Sequence, residues 1–109
     1  MSDKVVKQPS DVHLIVFACE AGMGSSLMGA NQLKKMIKKA KLDIQVIHSP
    51  VQQIPEHADI VLVHTGMAKQ AKAKIPTAAI VPFQMFFNDP AVKALVGRLQ
   101  AGESIESAV

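Results

Sequence analysis

Apolar residues along this chain fall into two patterns. Four short runs are nearly unbroken: Val12 to Ala18, Leu42 to Ile47 with Asp43 and Gln45 interleaved, Ala58 to Val63, and Ala78 to Val81. Runs of this length with little alternation predict strands buried on both faces. The second pattern is helical. Leu27, Ala30, Leu33, Ile37 and Ala40 recur at three and four residues, giving one apolar face along a helix that reaches Lys41. Met67 to Lys74 predicts a shorter helix ended by Ile75-Pro76. Val92, Leu95, Val96 and Leu99 predict a last one, capped by Asn88 or Asp89, begun by Pro90 and ended at Ala101-Gly102. Val51 to His57 reads as a connection holding one helical turn, and Ser49-Pro50 and Pro82 read as strand stops. Strands alternating with helices call for right-handed crossovers. The expected fold is therefore α/β, a four-stranded parallel sheet with helices on both faces. Residues 1–11, polar and without period, read as a flexible leader; 12–102 form the domain, and 103–109 read as a polar tail.

Composition narrows this further. With 109 residues there is material for one core. Four Phe, no Trp and no Tyr leave that core to Val, Ile, Leu, Ala and Met. Phe83, Phe86 and Phe87 read as core closure, with exposure at a partner face as the alternative. No apolar run approaches the roughly 20 residues of a membrane span, and the first residues lack a signal-peptide core. A single cysteine forms no internal disulfide, which fits a reducing compartment. A cytoplasmic monomer without direct membrane insertion is expected. The net charge is +3, and Lys34, Lys35, Lys38, Lys39 and Lys41 crowd the end of the first helix. Cations there complement the helix dipole; docking an acidic protein surface is the other reading. With one arginine, Arg98, and no interleaved aromatics, no nucleic-acid site is expected. The four histidines have no paired spacing with Cys19 that fits zinc, so neither metal nor cofactor is expected.

The chemistry collects between the first strand and the first helix, where Cys19, Glu20, Ala21, Gly22, Met23, Gly24, Ser25 and Ser26 follow one another. A strand, a small-residue loop and a helix aim backbone N–H groups and the positive helix end at one point. In open parallel sheets that point, outside the carboxyl ends of the strands, is where ligands bind. His48, His64 and the segment after Val81 are expected at the same edge. Both histidines are possible auxiliaries, structural or surface roles being the alternative.

Known phosphate loops fit poorly. A nucleotide-triphosphate loop needs a Lys before Ser or Thr, and it is missing. A dinucleotide fingerprint fails at Leu27. A cysteine phosphatase holds its phosphate with an arginine six positions after the nucleophile, where this chain has Ser25. What remains is a thiol among backbone donors and serine hydroxyls, which lower its pKa from about 8.5 and bind phosphoryl oxygens. Glycines 22 and 24 permit the close approach. Ser25 or Ser26 also serves as a helix N-cap, a role that shares the same geometry. Glu20 is either a solvated carboxylate or a like charge that speeds phosphate departure, and Met23 shields the loop or meets a partner. Neutral donors without a guanidinium favour passing a phosphoryl group on over hydrolysing it.

Cys19 through Ser26, followed by Met28-Gly29-Ala30, resembles the phosphocysteine loop of the enzyme IIB components of the bacterial sugar phosphotransferase system. The loop is of the lactose/cellobiose-like kind, and the chain is most similar to the mannitol type, from about Val12 to Leu99. The resemblance implies a flavodoxin-like sheet of strand order 2-1-3-4. It also implies a relay in which a phosphohistidine of a IIA partner donates to Cys19, which passes the group to a sugar or hexitol in a membrane IIC transporter. Three departures stand out. Glu20 replaces the Asp of the mannitol members, Thr65 replaces their Arg after the third-strand histidine, and the first helix is richer in lysine. The rival readings are a low-molecular-weight cysteine phosphatase and an anion-sensing regulatory module.

Overall fold

A computed structural model describes residues 5–19, 25–84 and 90–107. In chain order the elements are β1 (Val6–Lys7), β2 (Leu14–Cys19), α1 (Ser25–Lys39), β3 (Gln45–Pro50), β4 (Ile60–His64), α2 (Ala68–Lys74), β5 (Ala79–Phe83), α3 (Pro90–Ala101) and β6 (Ile105–Glu106). Short 3-10 turns occupy Pro9–Asp11, Val51–Gln53 and Thr65–Met67. The main sheet has the order β3-β2-β4-β5 and all its pairs are parallel. Numbered as the four predicted runs, that is 2-1-3-4.

Alternation along β2 divides the core. Ile15 and Phe17 join Leu33 and Ile37 of α1 and Val92, Leu95, Val96 and Leu99 of α3 on one face. Leu14, Val16 and Ala18 join Ala68 and Ala71 of α2 with Val51, Ile54 and Ile75 on the other. Helices thus cover both faces, as the unbroken apolar runs require. Phe17 and Phe83 pack with ring centroids 4.7 Å apart, tying β2 to β5 beneath α1 and α3. Phe83 is the core-closing phenylalanine expected; Phe86 and Phe87 lie outside the described residues.

Three boundaries differ from the sequence expectation. The second strand runs Gln45–Pro50, not Leu42 to Ile47, because Ala40 to Leu42 are spent on turning out of α1. The fourth continues through Pro82 to Phe83. Both of these are edge strands, where a proline lacks only an N–H that no neighbouring strand needs. Ser25 and Ser26 are the first two residues of α1, so neither precedes the helix as its N-cap. The ends of the chain are also used. β1 pairs antiparallel with β6, Val6 opposite Glu106 and Lys7 opposite Ile105. Ile105 is buried in the α1/α3 core, and Val5 packs against it.

Candidate functional site

The amino and carboxyl ends of the parallel strands are built differently. At the amino end Asp59, the residue before β4, joins three strands. Its backbone N–H donates to the Leu14 carbonyl at 3.0 Å, and its carbonyl accepts from Ala79 at 2.9 Å. Its Oδ2 accepts from the N–H groups of His13 (2.8 Å) and Leu14 (3.0 Å), while Lys7 Nζ lies 3.8 Å from Oδ1. This is a structural clasp.

At the carboxyl end β2 stops at Cys19 and α1 starts at Ser25, so residues 20–24 are what joins the strand end to the helix start. Glu20, Ala21, Gly22, Met23 and Gly24 lie outside the described residues, as do the side chains of Cys19, Ser25 and Ser26. The backbone frame around them is described. The opening N–H groups of an α-helix have no carbonyl partner within it, and the dipole adds positive potential there. Among the described residues those N–H groups belong to Ser25, Ser26 and Leu27.

Cys19 pairs with Pro50 on one side. On the other, the β2–β4 register ends at Phe17 opposite Leu62; extended by two residues, it sets Cys19 level with His64. His64 closes β4 and is exposed. Its Nδ1 accepts from the Gly66 N–H at 3.3 Å, capping the 3-10 turn that follows. Its ring meets Phe83 edge-on, 6.2 Å between centroids. With Nδ1 accepting, the neutral imidazole carries its proton on Nε2, which makes it a hydrogen-bond donor. His48 is placed differently from the expectation. It lies inside β3, opposite Phe17, two residues short of the strand end. The strand continues through Pro50, and this takes His48 off the edge.

Sequence reasoning missed a shallow cavity of about 290 Å³ beside His64, lined by Thr65, Pro82, Phe83, Gln84, Pro90 and Ala91. It arises because β5 runs on past Pro82 and the third helix starts close by. An edge-strand proline was the signal available for it.

The described frame is therefore a cysteine-terminated central strand, a helix that starts six residues after that cysteine, and a histidine at the neighbouring strand end. Residues 14–98 match the family model described as the PTS system lactose/cellobiose-specific IIB subunit. The chain belongs to the PTS IIB family. Its curated relatives include the PTS system mannitol-specific EIICB components of Bacillus subtilis (strain 168), 44% identical over 84% of this chain, and of Geobacillus stearothermophilus, 43% over 90%. The mannitol-specific EIICBA component of Vibrio cholerae is 33% identical over 86%. These matches cover only 19%, 20% and 14% of the relatives' own lengths, so the chain spans a fifth of them or less. In this IIB chain no helix of the described residues is long and apolar enough to cross a membrane.

Proposed function

We propose that this IIB chain is a phosphoryl carrier that is phosphorylated on Cys19. The observation that carries the reading is the placement of Cys19 at the end of a central strand, with α1 starting at Ser25. In the first transfer a P–N bond to a phosphohistidine of a IIA protein breaks and a P–S bond forms at Sγ. In the second the P–S bond breaks, a P–O bond forms to a sugar hydroxyl whose proton is released, and the thiolate returns. The work asked of the fold is positioning and electrostatics around a covalent nucleophile. Backbone donors from Glu20 to Ser26 and the hydroxyls of Ser25 and Ser26 serve the phosphoryl oxygens, and His64 supports the rim of the site.

The EIICB and EIICBA names of the relatives support a membrane IIC component as the acceptor's carrier and a IIA unit as the donor. Their mannitol specificity favours a hexitol over the disaccharides of the family description. Contacts of this kind are transient and modest in area. Met28 fits such a contact, since it is 60% exposed in the first turn of α1. The chain acts in the cytoplasm as a monomer and hands the phosphoryl group to its acceptor at the inner face of the membrane.

The test is mass spectrometry of the chain after incubation with a phosphoenolpyruvate-driven donor series. One phosphate on the Cys19 peptide, lost on adding membranes with a mannitol IIC component and mannitol, is the expected result. An unmodified Cys19 peptide overturns the proposal. Turnover of an aryl phosphate by the isolated chain would instead favour the cysteine phosphatase.

A further inference from the structure

Lysine is concentrated in one short segment of this chain. Lys34, Lys35, Lys38, Lys39 and Lys41 sit within eight residues that contain no carboxylate. The whole chain carries +3, so everything outside that segment sums to −2. All five lysines are exposed, and among the described residues none is ion-paired. At 100° per residue, the four within α1 fall on an arc of about 140°, turned away from the buried stripe of Ala30, Leu33 and Ile37. Lys41 follows just past the helix, and the nearest carboxylate in sequence is Asp43.

We infer that this face of α1 adsorbs to anionic lipid headgroups and holds the domain at a membrane surface. Three features favour a lipid surface over a protein. The cations are all lysine, compact charges on flexible stems without the planar fork that gives arginine stereospecific recognition. Protein interfaces are depleted in lysine and built on aromatic or apolar anchors, and between Lys34 and Lys39 the outward arc has none. A cluster of this density on one helix face is also what a fluid anionic surface selects, at no cost in shape matching. The geometry keeps the carboxyl-end site open, since Lys34 lies roughly 14 Å along the helix from Ser25. Adsorption is peripheral and requires no insertion.

The experiment is vesicle flotation of the full chain with phosphatidylcholine alone and with phosphatidylglycerol added, at low salt and at about 0.5 M salt. The expected result is binding only to the phosphatidylglycerol vesicles and only at low salt. Changing Lys34, Lys35, Lys38 and Lys39 together to Gln keeps helix propensity and should weaken binding at least about tenfold. A comparison variant with Lys69, Lys74 and Lys93 changed to Gln removes scattered charge and should stay within about threefold. Circular dichroism melts establish that both variants fold. An equal drop in both variants overturns the proposal, because net charge alone would then explain it. Absence of vesicle binding by the unaltered chain overturns it too. If the four lysines instead governed phosphoryl acceptance from a soluble donor protein, the face would belong to an acidic protein.

Discussion

The two ends of the parallel sheet are built differently, one around a carboxylate clasp and the other around the proposed transfer site. At the amino end one carboxylate, Asp59, accepts from two backbone N–H groups, and its own backbone bonds to β2 and β5. The same end carries the β1–β6 ribbon, whose neighbour Ser107 is 1% exposed and accepts from the Ile80 N–H at 2.9 Å. That hydroxyl occupies an outward-facing donor of an edge strand, one of the ways a sheet edge is protected from further pairing. At the carboxyl end the described contacts include a histidine-capped turn, an edge-on ring and the start of a helix. Under the proposed relay, groups that bind a transient phosphoryl cannot also serve as permanent anchors, whereas the Asp59 clasp and the Ser107 bond are anchors at the opposite edge. Substitutions at one end should then move stability alone, and at the other transfer alone.

The largest effect tests the carboxyl end. Cys19→Ser should abolish phosphoryl acceptance, read by mass spectrometry, while leaving the denaturant midpoint nearly unchanged. A hydroxyl is about the size of the thiol but far from ionised at neutral pH. If the variant still accepted phosphate at the same peptide, the nucleophile would lie elsewhere. Asp59→Ala is the mirror image. It strands the backbone donors of His13 and Leu14, at the start of β2, and should cost about 2–3 kcal/mol of unfolding free energy. Its phosphoryl acceptance per folded molecule should be unchanged. Loss of acceptance without loss of stability would break the division between the ends.

Ser107→Ala is a smaller test of the same edge. It leaves the buried Ile80 N–H without its acceptor, at a cost of about 1–2 kcal/mol. A change within experimental error would mean that water or a backbone shift replaces the hydroxyl. Either way, Cys19 phosphorylation should proceed as before.

These contacts also mark where the sequence was legible. The unbroken apolar runs and the three-and-four spacing of Leu33 and Ile37 report burial directly, so the parallel sheet and its helices could be read from them. Pro90 and Gly102 marked the ends of α3 for the same local reasons. Pro50 and Pro82 misled, because a proline ends a central strand but is tolerated at an edge, and edge position is a property of the whole sheet. The expected order 2-1-3-4 already put both strands at edges, so the information was present but unused. The β1–β6 ribbon could not be read at all. Each strand is two residues long, and their pairing joins segments about a hundred residues apart. At the site, Cys19 and Ser25 were legible as strand end and helix start, whereas the pairing of His48 with Phe17 depended on the boundary error at Pro50.

The smallest prediction has the opposite sign and compares two helix ends. α3 closes with Gly102 at φ 81°, the Glu103 N–H donating to the Arg98 carbonyl at 2.9 Å and the Gly102 N–H to that of Leu99 at 3.3 Å. α1 closes in the same way, the Leu42 N–H donating to the Ile37 carbonyl at 3.1 Å and the Lys41 N–H to that of Lys38 at 3.0 Å. Yet the left-handed residue there is Lys41, at φ 60°. A side chain in that region is strained where glycine is not, although glycine also gains entropy on unfolding. Lys41→Gly should therefore stabilise the domain by roughly 0.5–1 kcal/mol, measured by denaturant titration. Lys41→Ala removes the same charge but keeps the Cβ, so it should give no such gain. If the two variants behaved alike, relief of lysine crowding rather than of backbone strain would be the cause. The strained residue would then matter for the charge it adds to the lysine face, and not for how the helix ends.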